Sequence, residues 1–118
     1  MVRTRMGHDA GMALHYLTFD PSHDTDGLHT FDALASTSHT DHPAVMAEVR
    51  RVLDWAARQF PDGPGDLEEG CSWCHDLHTR EEDGGWVTVS LSLSGTEAFA
   101  QAFSHAFGQA IGQGDDGA

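Results

Sequence analysis

The sequence predicts an α+β fold: a two-layer sandwich of order ββαββα, with a four-stranded antiparallel sheet and two helices on one face. Three observations lead there. Residues 86–94 alternate strictly, with Val87, Val89, Leu91 and Leu93 facing one way and Thr88, Ser90, Ser92 and Ser94 the other. Such alternation marks a strand with one buried and one wet face. Two other stretches carry apolar residues at helical spacing. Each of these follows a pair of extended runs split by an Asp-Gly turn. With 118 residues, a single domain is expected.

The elements are expected in this order. Leu14 to Phe19 reads as the first strand, and Asp20 to Gly27 is dense in turn formers. Leu28 to Ser38 reads as the second strand, with Phe31, Ala33 and Ala35 on one side and Leu28, Thr30, Asp32 and Leu34 on the other. Thr40 or Asp41 is placed to cap the first helix, and Pro43 suits its first turn. Val45, Met46, Val49, Val52, Leu53, Ala56 and Phe60 form its apolar face, and Pro61 to Gly65 ends it. Cys71 to Arg80 reads as the third strand, Glu82 to Gly85 as a turn, and Trp86 to Ser94 as the fourth strand. Ser94 or Thr96 caps a second helix whose stripe is Phe99, Ala102, Phe103, Ala106, Phe107, Ala110 and Ile111. The domain spans 12–112 as two ββα halves, with a disordered leader at 1–11 and a disordered tail at 113–118. Either Met1 or Met12 fits as the native start.

Composition narrows the function classes. Nineteen acidic residues against six arginines and no lysine give a formal net charge of −13. That field repels nucleic-acid phosphates and anionic membranes, so neither is expected as a partner. Solubility is the ordinary account of such a field; the sharper one is attraction to a protein partner with a basic surface, including one whose nucleic-acid groove an acidic mimic would fill. Nine histidines titrate near neutrality, and full protonation would reduce the charge to −4. With no signal sequence and no apolar run of membrane length, the expected location is the cytoplasm, with both thiols reduced. A homodimer is expected only from the frequency of two-fold assemblies.

The densest chemistry is Cys71-Ser72-Trp73-Cys74-His75-Asp76-Leu77-His78. Cys-x-x-Cys-His is the pattern of covalent haem attachment, and Cys71, Cys74, His75 and His78 have the right number and type of donors for zinc. A strand puts Cys71 and His75 on one face and Cys74 and His78 on the other, which separates the ligands. A redox dithiol would sit at a helix start, where no helix is predicted. Covalent haem would need His75 as axial ligand and export to an oxidising compartment, for which no signal is seen. Two ordinary thiols in a strand are therefore expected, with zinc as the alternative.

Other groups are read as ordinary structure. Asp24 to Gly27 resembles the opening of a calcium loop, but Ser22 and Ala33 stand where its first and last acids belong. The group His39, Asp41 and His42 is a cap region. Arg50, Arg51 and Arg58 form a solvated helix face paired with acids such as Glu48 and Asp54. Trp73 and Trp86 flank one turn and read as cross-strand neighbours; with His15 they make a candidate binding face. A general-base grouping of His15, His75 and His78 with Asp32 or Asp76 has weak support. The function expected is a small acidic binding or interaction module without catalysis.

Overall fold

A computed structural model describes residues 14–65 and 67–111. The expected leader, the tail and the choice between Met1 and Met12 lie outside these residues. Four strands and two helices run in the order β1 (Phe19–His23), β2 (His29–Ser38), α1 (His42–Gln59), β3 (Trp73–Glu82), β4 (Trp86–Gly95) and α2 (Glu97–Ala106). The sheet order is β1-β2-β4-β3, and every neighbouring pair is antiparallel. The α+β class and the four-stranded antiparallel sheet are as the sequence predicts. Among the described residues no helix is long and apolar enough to cross a membrane.

The alternation in the two central strands decides where the core sits. Phe31, Ala33 and Ala35 of β2 and Val87, Val89, Leu91 and Leu93 of β4 are buried, while their neighbours are open or half-open. The helices contribute Val45, Val49, Val52, Trp55 and Ala56 from α1, and Phe99, Ala100, Phe103 and Ala106 from α2, to the same cluster. Phe103 lies at its centre. Its ring is 5.1 Å from Phe19, 4.5 Å from Phe31, 5.9 Å from Trp55 and 5.0 Å from Phe107. Rings at these spacings contribute about 0.5–1.5 kcal/mol per pair beyond the area they bury.

Several boundaries differ from expectation. The first strand is Phe19–His23, so Leu14 to Thr18 precede it and Asp20 to His23, read as a turn, belong to it. Pro21 is tolerated because β1 lies at the sheet's edge, where no outer ladder needs its missing N–H. The turn itself is tied as its composition suggests: Asp24 Oδ1 accepts from the N–H groups of Asp26 and Leu28, both at 2.9 Å. The third strand starts at Trp73, which leaves Cys71 outside it. In α2, Thr96 is the cap, its hydroxyl accepting from Phe99 N–H at 3.3 Å. That helix ends at Ala106; Gly108 disfavours its continuation, and Gly108–Ala110 forms a single 3₁₀ turn instead. Ile111 then makes a parallel bridge with Phe19. Asp41 occupies the cap position of α1, but its side chain makes no capping bond.

The largest departure concerns Glu48. It does not join the solvated arginine face of α1. It is 6 % exposed, and its carboxylate accepts from three successive backbone N–H groups: His15 at 2.6 Å, Tyr16 at 3.0 Å and Leu17 at 3.1 Å. A run of consecutive N–H groups around one anion satisfies a buried charge that would otherwise be costly. This contact bends residues 15–17 over α1 and so prevents them from extending β1.

Replacing Glu48 with Ala should cost about 2–4 kcal/mol, because it strands three donors. Glu48→Gln keeps one acceptor oxygen and should cost roughly half as much. Urea unfolding reads the stability. Faster hydrogen exchange at the amides of His15, Tyr16 and Leu17 locates the change, and unaltered exchange there would show that the clamp does not hold this segment.

Candidate functional site

Strand register lays out the uncovered face of the sheet. Asp20 stands opposite Asp32, Asp32 opposite Ser92, and Ser92 opposite Asp76. A row of three aspartates and one serine therefore crosses all four strands. The next row toward one end is Ser22, Thr30, Ser94 and Cys74; toward the other come Leu34, Ser90 and His78, then Ser36, Thr88 and Arg80, then Ser38, Trp86 and Glu82. Hydroxyls form its floor, cross-linked by Thr30 with Ser94 at 3.1 Å and Ser36 with Thr88 at 3.0 Å. Two apolar side chains break the polar surface: Leu34, 66 % exposed, and Trp86, 49 % exposed. An open depression of about 500 Å³ lies beside Leu34, lined also by His78, Arg80, Thr88 and Ser90.

The structure separates most of the groups that the sequence suggests might act together. Cys71 precedes β3, Cys74 and His78 belong to the open face, and His75 has the opposite parity. On an extended strand Cys74 and His78 lie about 13 Å apart, too far to share a tetrahedral zinc. Among the described residues no group of three or more His, Cys, Asp or Glu is placed to hold a metal. His15 precedes β1 and its N–H is held by Glu48 of α1, so it lies outside the sheet that carries His75 and His78. His78 does approach Asp76, at 3.2 Å, but both side chains are more than 70 % exposed. That pair stands in solvent, without the water-excluding surroundings that general-base chemistry uses.

The two tryptophans are not neighbours. Trp73 pairs with Gly95 and Trp86 with Glu82, at opposite ends of the hairpin. Trp73 is 1 % exposed on the helix side, stacked on Phe99 at 5.8 Å, and its indole N–H donates to the Phe60 carbonyl at 3.0 Å. Gly63 lets the connecting loop pass over it, since a Cβ there would come within 2.6 Å of the indole. Of the expected binding-face residues Trp73, Trp86 and His15, the open face carries Trp86 alone. The residues that sequence reading missed are Asp20 and Leu34, one placed in a turn and the other counted only as a side of a strand. Their signal is parity with Asp32 and Ser90, which needs the register to be known.

No family model matches the chain, and no curated protein or solved structure does either. The face is therefore interpreted from its chemistry alone.

The two tryptophans should respond in opposite ways. Trp73→Ala removes a buried, hydrogen-bonded indole and should cost about 3–5 kcal/mol. Trp86→Ser should change stability by less than about 0.5 kcal/mol. Urea titration followed by circular dichroism compares them; equal losses would place Trp86 in the core.

Proposed function

We propose that the protein is a small acidic interaction module that binds a basic protein surface on the open face of its sheet. The observation carrying this reading is the juxtaposition of Asp20 and Asp32. Like charges directly opposite on paired strands are destabilising. A sequence that retains such a pair on an exposed face gives up stability there, and such local conflicts are expected where function demands them. Ser92 and Asp76 extend the same row. Leu34 and Trp86 add exposed apolar surface on that side, and aromatic side chains are enriched where proteins bind partners. The net charge of −13 and the absence of lysine favour arginine- or lysine-rich partners and speed their approach. A partner that itself binds nucleic acid would make this module a competitor for the phosphate site.

An arginine-rich peptide titrated into isotope-labelled protein tests the reading by amide chemical shifts. Perturbations should concentrate on Asp20, Asp32, Ser92 and their row neighbours and should weaken steeply with salt. Asp32→Asn relieves the repulsion, so it should raise stability by about 0.5 kcal/mol while weakening binding several-fold. Perturbations confined to the helical layer, or unchanged affinity in Asp20→Asn and Asp32→Asn, would refute the reading.

A further inference from the structure

The two edges of the sheet are built differently. The β1 edge is five residues long, contains Pro21 and is bridged by Ile111. It is closed to a further strand. The β3 edge is ten residues long and has no proline. Its backbone pattern follows from one bond: the Trp73 carbonyl turns outward to accept from Gly65 N–H at 3.1 Å. In an antiparallel ladder outward-pointing residues alternate, so His75, Leu77, Thr79 and Glu81 also direct their N–H and C=O groups away from β4. The loop at Gly65 covers the first of these positions. Among the described residues the stretch left open runs from His75 to Glu81 and is centred on His78.

We propose that a second copy of this chain adds to that edge, strand β3 against strand β3, about a two-fold axis at His78. Two independent features select this register. Pairing about His78 sets His75 opposite the partner's Glu81 and Leu77 opposite the partner's Thr79, so all four outward-facing residues are used. Moving the axis to Leu77 would oppose Glu81 to Trp73, whose carbonyl Gly65 already occupies. Charge makes the same choice. About His78, Asp76 faces the partner's Arg80 on the open side, twice by symmetry, and His75 faces the partner's Glu81 on the other side. An axis at Asp76 would set Asp76 against its own copy, and one at Thr79 would set Asp76 against Glu82. Both like-charge contacts are unfavourable. Among the described residues the ion pairs of Arg80 and Asp76 are with exposed neighbours two residues away, Glu82 and His78, each at 3.2 Å. These side chains are free to turn to a facing strand. The product is one eight-stranded antiparallel sheet whose open faces adjoin. It shares Asp76 with the acidic row described above but does not rest on the basic-partner reading, which is carried by Asp20 and Asp32.

Sedimentation equilibrium of the full chain tests this with charge-reversed variants. Wild type should be a dimer. Asp76→Arg and Arg80→Asp should each weaken dimerisation about tenfold or more, since each makes two cross-strand contacts repulsive. Mixing the two variants in equal amounts opposes their charges again and should restore dimers, as should the double exchange within one chain. Unchanged far-ultraviolet circular dichroism confirms that each variant is folded. A wild-type monomer at every concentration would overturn the proposal. So would a dimer indifferent to both reversals, or variants that fail to associate when mixed.

Discussion

The architecture depends on one aromatic contact point. Phe103 of α2 touches Phe19 of β1, Phe31 of β2 and Trp55 of α1, and the adjacent Phe99 stacks on Trp73 of β3. One turn of one helix thus ties both halves of the chain. Burial of each large apolar side chain contributes about 1.5–3 kcal/mol. The constraint reaches the backbone as well. Gly95, the last residue of β4, lies where a Cβ would come within 2.5 Å of the Phe99 ring, so the strand-to-helix corner is drawn tight around it. A sheet held in this way by helices on one side leaves its other side to water.

Most of the architecture could be read in the sequence because binary pattern and side-chain period agree in β2, β4 and both helices. What the sequence obscures are places where tertiary context overrides a local rule. Pro21 reads as a turn former until the strand is known to be an edge. Glu48 reads as a surface acid, although helical spacing sets it beside Val45 and Val52 in the apolar stripe. Trp55, seven residues beyond Glu48, lies on the same helix face and is likewise absent from the expected stripe. The hairpin with Trp73 and Trp86 at its two ends is recognisable, but proximity along the chain suggests a contact that antiparallel register prevents. The open-face row fails for a similar reason: Asp20, Asp32 and Asp76 are far apart in sequence, and only strand order makes them adjacent.

The acidic composition acquires a direction from the fold. Many acids lie in turns and on helices, where ordinary solvation accounts for them. Asp20, Asp32 and Asp76 instead share one plane with Leu34 and Trp86, above a floor of small hydroxyls that lies close to the backbone. Such a floor allows a broad, flat partner to approach, and a deep pocket is not required. The cysteines contribute less than their spacing suggests. Cys74 lies at one margin of that plane, and Cys71 packs against Gly65 in the connecting loop.

The parallel bridge between Phe19 and Ile111 has a topological consequence. It brings the first strand and the last described residue to the same edge of the sheet. Segments held side by side can be joined directly in a circularly permuted chain without disturbing the packing between them. Here a short link from Ile111 to the segment ahead of Phe19 would close the chain, and the exposed turn at 83–85 would open it elsewhere. The permuted chain would run β4, α2, β1, β2, α1, β3, with Phe103 still at the meeting point of its elements. The order in which the halves are synthesised is thus separable from the way they pack.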